Sequence, residues 1–506
     1  MKKNKRDIFV LKILIAILLY LIFIFWFIKI YNKNNNNLEN EKDNSQIELK
    51  EEKENKILTE ENEIENLGID NNIYKYAKSK INVYENEKLE KIIYSIDKGS
   101  KITVLEMGEF SKIVEKNDVK SEIKYNLLKI KYNDGISDKE GWIKEEFLED
   151  SLKSVLPKSW GELDFNHYKK ASYINNPKVK AKGIYVTANT IAIPSRLEEM
   201  IKIAKENNIN TFVIDVKEDV GTLSFDMPEY IKNMNPGANN KPKIKNIREI
   251  ISRLKENNIY LIARVVSFKD PIYAKNNKNK SIVYKKDGTQ FSNKDGLAWV
   301  SPYDRNLWNY NVEVSKEAAR VGFNEIQFDY VRFPASNGGK LDSELDYRNE
   351  KNESKVKAIQ EYLKYAKENL EPLGVYLSVA VYGQVASSDD DMSLGQHYET
   401  MANIVDYISP MEYPSHYGSG VYGLKVPDAN PYKTVYHSTK DALKRSKNID
   451  ESALVRPWIQ AFTAKWVKGH INYGPDEIKE QVKALKDLGV EEYILWSPTN
   501  RYDRYF

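Results

Sequence analysis

The stretch Glu325-Ile-Gln-Phe-Asp-Tyr-Val-Arg-Phe-Pro334 decides how the chain folds. Successive side chains of an extended strand point to opposite faces, so Gln327 and Asp329 share one face and the neighbouring Ile and Phe share the other. An apolar outer face with a polar inner face is typical of a barrel strand that is covered by a helix. A charged side chain at the carboxyl end of such a strand is more often catalytic than structural, which makes Asp329 the first candidate site residue.

Strands and helices alternate along residues 182–506. Helical stretches with apolar residues at one-face spacing separate the candidate strands. The eight candidate strands are Gly183–Val186, Thr211–Asp215, Tyr260–Val266, Glu325–Asp329, Tyr376–Val381, Tyr407–Pro410, Leu454–Ala461 and Tyr493–Ser497. Because eight βα units fit this fold, we predict an α/β fold, a (β/α)₈ TIM barrel over 182–506, a region somewhat longer than the typical length of about 250 residues. A doubly wound open sheet is the alternative, but no glycine-rich phosphate loop follows the first strand.

Two further carboxylates accompany Asp329 at the predicted strand ends. Asp215 closes the second strand, and Glu412 follows the sixth. Because one strand separates the fourth from the sixth, we expect Asp329 and Glu412 to line the same barrel mouth. Two carboxylates in that position can flank a glycosidic bond, with Asp329 as nucleophile or base and Glu412 as acid. We expect Asp215 to tune or orient the site.

Each of these acidic residues also has a structural alternative. Asp215 can simply pair with Arg264, which lies inside the next strand. Glu412 can serve as a hydrogen-bond acceptor that orients the substrate. The general acid of a glycosidase must stay protonated near neutral pH, which requires an apolar or like-charged environment. Met411, Tyr413 and Pro414, next to Glu412 in the sequence, can supply the apolar part.

Aromatic residues are concentrated near the same strand ends. Sugar rings stack on aromatic faces, although large aromatic side chains also fill barrel cores. Most of these residues are therefore expected in the core, and Trp299, Tyr413 and Trp496 are the ones predicted to contact sugar. Arg264 and Gln460 can donate hydrogen bonds to sugar hydroxyls. The full set of predicted substrate-binding residues is Tyr185, Arg264, Trp299, Tyr413, Gln460 and Trp496.

Cysteine and histidine usage excludes several kinds of site. The chain has no cysteine, so disulfides, thiolate metal sites and cysteine nucleophiles are excluded. Its five histidines form neither an H-x-H nor an H-E-x-x-H pair, which disfavours a metal-dependent hydrolase or amidase. We therefore predict no metal and no cofactor. With a net charge of +3 and no basic stripe, nothing in the sequence indicates a nucleic-acid partner.

The N-terminal segment predicts a membrane anchor. Met1-Lys-Lys-Asn-Lys-Arg-Asp7 precedes an apolar stretch from Ile8 to about Tyr31, which approaches the ~20 residues that a membrane helix needs. The basic flank favours an N-terminus inside the cell and extracytoplasmic C-terminal domains. We predict a cytoplasmic tip and single-pass signal anchor over residues 1–32, and a cell-membrane location. A cleaved signal peptide is the alternative, but the segment lacks a small-residue cleavage site.

A polar tether and a small all-β domain are predicted to follow the anchor. Residues 33–72 are rich in Asn, Glu and Lys, a composition typical of a partly disordered tether. Short strands and glycine turns over residues 73–150 predict a small antiparallel barrel. Two of its strands are expected at Ile102–Met107 and Lys112–Val114. Residues 151–181 are predicted to form a linker to the TIM barrel.

The small barrel resembles a bacterial SH3-like (SH3b) domain. The resemblance is carried by Ile81-Asn-Val-Tyr84, by the Gly99 turn before Ile102-Thr-Val-Leu105, and by Gly141-Trp-Ile-Lys144. It implies that this domain accompanies a cell-wall enzyme and binds peptidoglycan. A structural spacer is the alternative.

Five segments of the C-terminal region carry a second resemblance. They are Gly183-Ile-Tyr-Val-Thr-Ala188, Phe212-Val-Ile-Asp-Val-Lys217, Glu325–Pro334, Ile408-Ser-Pro-Met-Glu-Tyr-Pro414 and Arg456-Pro-Trp-Ile-Gln-Ala461. They resemble the bacterial "putative glycosyl hydrolase" TIM-barrel domain family over roughly 182–506. Trp299-Val-Ser-Pro-Tyr-Asp304 is similar to related barrels that share ancestry with the α-amylase superfamily. The resemblance implies that Asp329 is the nucleophile, although Gln327 replaces the Arg that α-amylases carry two residues earlier.

The residues and the resemblance together predict a glycoside hydrolase that acts on a cell-surface or cell-wall polysaccharide. Asp329 is the expected nucleophile and Glu412 the expected acid/base. The predicted partners are the polysaccharide, the membrane through the N-terminal helix, and peptidoglycan through the SH3-like domain. The alternative is a non-catalytic envelope protein that binds glycan or peptidoglycan, and a groove with a single carboxylate favours this alternative.

Overall fold

The computed structural model describes residues 72–116, 119–166 and 168–506. The predicted anchor, residues 1–32, and the predicted tether, residues 33–72 apart from Asn72, lie outside these ranges. Within them, no helix combines the length and apolar character needed to cross a membrane. Ile73–Phe506 forms one compact unit, so its sheet and its barrel are described together.

Seven antiparallel strands form a sheet at the N-terminal end of this unit. They are β1 (Ile73–Ala77), β2 (Ile81–Tyr84), β3 (Ile92–Ile96), β4 (Lys101–Lys116), β5 (Val119–Asn133), β6 (Asp138–Lys144) and β7 (Leu148–Glu149), in the order β3-β2-β6-β5-β4-β1-β7. The antiparallel strands predicted here are confirmed, and the SH3-like assignment stays a prediction. Ile102–Met107 and Lys112–Val114 are parts of the single strand β4, because β5 pairs with it from Thr103 to Lys116.

Eight parallel strand positions close into a barrel. The remaining strands are β8 (Lys182–Val186), β9 (Thr211–Lys217), β10 (Tyr260–Val266), β11 (Val283–Tyr284), β12 (Glu325–Asp329), β13 (Leu345–Asp346), β14 (Tyr376–Tyr382), β15 (Tyr407–Met411), β16 (Leu454–Val455), β17 (Trp458–Gln460) and β18 (Tyr493–Trp496). The pairings of β18 with β8 and of β14 with β15 close the ring, whereas β11 and β13 pair with each other outside it. The TIM barrel is therefore confirmed, and the open sheet is excluded.

Helices cover the outside of the barrel. The α-helices are α1 (Leu152–Val155), α2 (Ala188–Ile191), α3 (Pro194–Glu206), α4 (Glu229–Met234), α5 (Ile247–Glu256), α6 (Pro271–Asn276), α7 (Arg305–Val321), α8 (Lys355–Leu370), α9 (Tyr398–Ala402), α10 (Pro431–Ser446) and α11 (Pro475–Asp487). Local sequence defines their ends: the Ser354 side chain accepts the N–H of Lys357 at the start of α8. Gly322 ends α7 in the left-handed conformation, with φ of 119°.

Side-chain alternation decides which strand residues face the barrel interior. Ile326 and Phe328 of β12 pack in the core between the strands and the helices. Gln327 faces the interior, as predicted, because its Nε2 donates to Ser409 Oγ at 3.3 Å and its Oε1 accepts from Trp458 Nε1 at 3.2 Å. The apolar interior is filled by Tyr185, Val213, Tyr260, Ile262, Tyr376, Ala380, Tyr407, Tyr413, Trp458 and Ile494, with Ala171 of the linker.

The predicted seventh strand, Leu454–Ala461, is split into β16 and β17. Pro457 lies at the break, where its missing N–H cannot join the strand ladder. The adjacent Arg456 enters the amino-terminal end of the barrel and places Nη1 2.8 Å from Glu325 and Nε 2.8 Å from Glu492. Both Arg456 and Glu325 are fully buried, so an ion pair lies at the opposite end of the barrel from Asp329.

The chain before β8 crosses the amino-terminal end of the barrel. Lys170 Nζ donates to the carbonyl oxygens of Ala402 at 3.0 Å and Asn403 at 2.7 Å. Asn176 Nδ2 donates to the carbonyls of Asn324 at 2.7 Å and Gly374 at 2.9 Å, just before β12 and β14. The later part of the segment 151–181 is therefore bound to the barrel along its path.

Candidate active site

A cavity of about 280 Å³ opens at the carboxyl ends of the barrel strands. Its lining residues are Arg264, Asp329, Tyr330, Arg332, Tyr382, Met411, Tyr413, His416, Trp458 and Trp496. Larger cavities of about 630, 670 and 470 Å³ lie elsewhere, and none of the residues that line them belongs to a barrel strand. The smaller cavity is therefore the candidate site, since TIM-barrel active sites lie at this face.

Asp329 is held by hydrogen bonds to both of its carboxylate oxygens. Arg264, on the neighbouring strand β10, donates to Oδ2 through Nε at 2.9 Å and Nη2 at 2.7 Å. The backbone N–H of Tyr330 donates to Oδ1 at 2.6 Å. Arg264 also donates through Nη1 to Asp215 Oδ1 at 2.6 Å, and the Tyr185 hydroxyl donates to the other oxygen of Asp215. One guanidinium thus joins two of the predicted acidic residues.

Burial and the neighbouring charges shift the pKa values of Asp215 and Arg264. Burial raises the pKa of Asp215, even though Arg264 and the Tyr185 hydroxyl act in the opposite direction. Burial by itself lowers the pKa of Arg264, but the carboxylates of Asp329 and Asp215 reverse this and leave it well above the usual value. Asp215 is 3% exposed and does not line the cavity, so it can act on a ligand only through Arg264.

Glu412 does not line the cavity, which corrects the expectation that it joins Asp329 in the mouth. Met411 and Tyr413 face the cavity, and Glu412 between them points outward, towards α10. There Thr439 Oγ1 donates to Glu412 Oε2 at 2.5 Å, while Oε1 is buried with no hydrogen-bond partner among the described residues. Burial raises the pKa of Glu412 to about 8, so this side chain is mostly protonated at neutral pH. Of the apolar neighbours predicted for it, Met411 and Tyr413 face the cavity instead, and it is burial against α10 that raises its pKa.

The predicted substrate-binding residues divide into two groups. Arg264, Tyr413 and Trp496 line the cavity. Tyr185 lies behind Trp496, with the two rings stacked 4.1 Å apart. Like Tyr185, Trp299 and Gln460 do not line the cavity.

Trp299 and Gln460 are both fully buried and have structural contacts. The Trp299 ring packs edge-on against Tyr330, with centroids 5.8 Å apart. Gln460 Nε2 donates to Asp428 Oδ1 at 3.0 Å, and its Oε1 accepts the N–H of Ser415 at 3.0 Å. Gln460 therefore fixes the loops around the mouth, and the prediction that these two residues contact sugar is corrected.

The chain turns sharply after Asp329 and brings two further side chains to the cavity. Tyr330 has a φ of 50°, a left-handed conformation that is uncommon for a bulky residue. This turn directs the Tyr330 N–H to Asp329 and brings Arg332 over the rings of Trp299, at 4.9 Å, and Tyr330, at 5.3 Å. Arg332 belongs to the stretch Glu325–Pro334, but strand alternation does not predict the direction of a side chain that lies beyond the turn.

Residues 183–502 match the family model described as "Putative glycosyl hydrolase domain". The match covers more than half of the chain. The chain belongs to this family. The resemblance of residues 182–506 to this family is confirmed, and membership of the family supports the prediction that the protein is a glycosidase. No curated protein matches the chain at the significance required.

Several solved structures resemble this glycosyl hydrolase family member. A hypothetical protein from Ruminiclostridium thermocellum is 32% identical, with 39% of this chain and 96% of that chain covered and a TM-score of 0.35. The PgaB (BpsB) glycoside hydrolase domain from Bordetella bronchiseptica is 12% identical, with coverages of 64% and 97% and a TM-score of 0.47. An α-galactosidase from Thermus thermophilus is 10% identical, with coverages of 80% and 71% and a TM-score of 0.41. At these TM-scores the likenesses decide nothing about the reaction.

A row of aromatic rings leads outward from the cavity. Tyr413 and His416 line the cavity and pack edge-on, with ring centroids 5.2 Å apart. Phe462 contacts both rings at 5.9 and 6.3 Å, and Trp466 stacks on Phe462 at 6.0 Å. Trp466 is 69% exposed, so the row ends in an open aromatic face. The sequence analysis missed Phe462 and Trp466, which lie in the loop after β17.

Proposed function

We propose that the barrel hydrolyses a cell-surface or cell-wall polysaccharide and that Asp329 is its catalytic carboxylate. The observation that carries the proposal is the position of Asp329, the one carboxylate among the described residues that line the cavity. Three hydrogen bonds of 2.6 to 2.9 Å fix its orientation. A fixed carboxylate at the carboxyl end of the fourth strand is suited to attack an anomeric carbon.

In the proposed reaction Asp329 forms a bond to the anomeric carbon while the bond to the glycosidic oxygen breaks. The departing oxygen takes up a proton, and a water molecule then cleaves the glycosyl ester and restores the carboxylate. We assign both proton transfers to His416, the one imidazole among the described residues lining the cavity. Its Nδ1 lies 3.0 Å from Ser415 Oγ, which orients the ring, and an imidazole can both donate and accept a proton. Burial lowers the pKa of His416, so the neutral ring predominates at pH 7 and the proton-donating step is favoured at a lower pH.

Asp215 takes a positioning role in this proposal. It contacts Arg264 and Tyr185 and is separated from the cavity, so it orients the guanidinium that holds Asp329. Glu412 has no part in the reaction, because its carboxyl group faces α10. The acid/base role predicted for Glu412 is thereby transferred to a group that lines the cavity.

The aromatic row supports a polymeric substrate. A chain of sugars extending from the cavity meets Tyr413, Phe462 and then the exposed face of Trp466, and aromatic faces of this kind stack on sugar rings. The predicted anchor over residues 1–32 supports a single-pass cell-membrane location with the barrel outside. Peptidoglycan binding by the SH3-like sheet belongs to the same proposal.

A second candidate function is glycan binding without cleavage. It is favoured by a specific observation, namely that the described residues bring one carboxylate to the cavity whereas most glycosidases use two. In that case Asp329 and Arg264 would serve as hydrogen-bonding groups for sugar hydroxyls. The two candidates differ in a single measurable property, the release of new reducing ends.

The test compares the full chain with its Asp329→Asn variant on purified cell-wall glycans. We expect the wild-type chain to release reducing ends and Asp329→Asn to lose on the order of 10⁴-fold in rate while still binding the glycan. Asp487→Asn, at the surface end of α11, is the matched control and should cleave normally. Equal cleavage by Asp329→Asn would rule out its catalytic role, and binding without cleavage by the wild-type chain would favour the second candidate.

A further inference from the structure

Three basic side chains in or beside the candidate cavity differ in how their charges are balanced. Arg264 lies between two carboxylates, as described above. Lys269, whose Nζ lies 4.9 Å from the Tyr330 ring centroid, is paired with Asp219 at 3.1 Å and Asp295 at 2.6 Å. Arg332 also lines the cavity, and no described carboxylate lies within ion-pairing distance of it.

The guanidinium of Arg332 is held in place but incompletely hydrogen-bonded. Its Nη1 donates to the carbonyl of Phe333 at 3.0 Å, and its plane lies over the rings of Trp299 and Tyr330. Its other N–H groups have no acceptor among the described residues. Asp329 does not accept a hydrogen bond from Arg332 in the observed geometry: its Oδ2 accepts two N–H groups of Arg264 and its Oδ1 accepts the N–H of Tyr330. Burial lowers the pKa of Arg332, and the charge of Asp329 acts in the opposite direction without a direct contact.

A guanidinium that is partly removed from water is costly unless it is paired. Its planar fork matches a carboxylate or a phosphate through two parallel hydrogen bonds, which a neutral hydroxyl cannot reproduce. We propose that Arg332 binds an anionic substituent of the glycan, a sugar carboxylate or a phosphate, beside the bond at Asp329. This inference rests on the proposed function, because it gives the substrate class of the same cavity.

The anionic group compensates Arg332, the one arginine or lysine without an ion-pair partner among the described residues that line the cavity. The substrate class is therefore an acidic polysaccharide, with the charged unit bound next to the scissile bond. The rings of Trp299 and Tyr330 keep the guanidinium plane fixed, so little side-chain entropy is lost when the anion binds. Salt weakens the interaction, because it screens the attraction between charges near the surface.

The test measures binding to the full chain by calorimetry with three probes of stated chemistry. Trigalacturonic acid carries carboxylates, its methyl ester is the neutral counterpart, and an oligomer of glycerol phosphate carries phosphodiesters. We expect one of the anionic probes to bind about tenfold or more tightly than the neutral ester, and 0.5 M salt to reduce the difference. The stronger of the two anionic probes identifies which oxyanion Arg332 prefers.

Two variants and one control complete the test. Arg332→Gln should abolish the preference for the anionic probe, and Arg332→Lys should retain part of it, because lysine keeps the charge but loses the fork. Arg253→Gln, on the outer helix α5, should bind like the wild-type chain. If Arg332→Gln does not fold, the comparison of acid with ester and its salt dependence in the wild-type chain still decide the matter.

Equal binding of the acid and the ester, absence of binding by both anionic probes, or an unchanged preference in Arg332→Gln would each overturn the inference. The proposed function fails separately. If the wild-type chain prefers the anion through Arg332 but never releases reducing ends, hydrolysis is rejected and the anion site stands. If the chain cleaves neutral glycans without any preference for charge, hydrolysis stands and the anion site is rejected.

Discussion

Arg264 and Asp329 lie on adjacent parallel strands, and two N–H groups of the arginine contact a single oxygen of the aspartate at 2.7 and 2.9 Å. The third contact of the same guanidinium, to Asp215, lies deeper in the barrel. Arg264 is therefore the link between a buried carboxylate and the one that faces the cavity. Loss of this link is expected to disturb the position of Asp329 and the balance of buried charge together.

Arg264→Gln tests this link. We expect the free energy of unfolding to fall by about 3–5 kcal/mol, because two buried carboxylates lose their counter-charge. We also expect kcat/KM for glycan to fall about 100-fold, because Asp329 is no longer held in place. Urea unfolding and initial rates of reducing-end release measure the two effects. Normal kinetics in a folded Arg264→Gln variant would contradict the proposed positioning of Asp329.

Glu412→Gln tests the position of Glu412 through pH. The unfolded carboxyl group releases its proton near pH 4.5, whereas the folded one retains it up to about pH 8. Between these values the folded state binds the extra proton, so stability falls as pH rises, by about 1.4 kcal/mol per unit. Glu412→Gln lacks this loss, and its stability relative to the wild-type chain should increase from pH 4.5 to pH 8 and then level off.

Urea unfolding at four pH values between 5 and 8 measures the effect of Glu412→Gln. Glu368→Gln, on the exposed face of α8, is the matched control and should show no such trend. Cleavage by Glu412→Gln should remain close to that of the wild-type chain. A complete loss of cleavage with an intact fold would restore Glu412 as the acid.

Trp466→Ala tests the outer end of the aromatic row. The exposed ring is expected to bind a sugar unit away from the cleavage point, so KM for a polymer should rise about three- to tenfold. Rates on a short aryl glycoside that fills the cavity alone should not change. Tyr230→Ala, which removes an exposed tyrosine from α4, serves as the control. An equal effect on both substrates would indicate a structural role for Trp466.

Arg456→Met tests the ion pair at the amino-terminal end of the barrel. Glu325 would remain buried without its cation, and we expect a loss of about 3–5 kcal/mol in the free energy of unfolding. The double variant Arg456→Met with Glu325→Gln should recover part of this loss, because the fully buried carboxylate is removed. Recovery should be incomplete, since Glu492 also loses its contact with Arg456. Thermal and urea unfolding of the single and double variants provide the measurement, and an additive loss would contradict the expected coupling.

Most of the barrel could be predicted from the sequence, because period-two alternation and strand spacing are local signals. The same alternation that directs Asp329 inward directs Glu412 outward. The prediction for Glu412 took into account how near it lies to the strand end, but not which face of the strand its side chain is on. Trp299 and Gln460 could not be assigned in this way. Their burial depends on how the loops after β10 and β17 pack, which no local pattern encodes.

The position of Arg332 depends on the left-handed turn at Tyr330. A bulky residue gives no sequence signal for positive φ, because it is uncommon in that conformation. The break between β16 and β17, in contrast, could have been predicted from Pro457, since proline is disfavoured inside a strand. The prediction of one continuous seventh strand passed over this signal.

Lys170 and Asn176, which hydrogen-bond to the amino-terminal end of the barrel, lie before the region that matches the family model. The family domain is therefore shorter than the segment that completes the hydrogen bonds of the barrel. The match to the family model starts at residue 183. The side-chain amide of Asn176, which lies before it, donates hydrogen bonds to the carbonyls of Asn324 and Gly374. A fragment cut at the family boundary would leave those oxygens and the lower opening of the barrel bare to water. A fragment intended to fold like the full barrel should therefore begin before Lys170, and we expect one that begins at residue 183 to be less stable than the full chain.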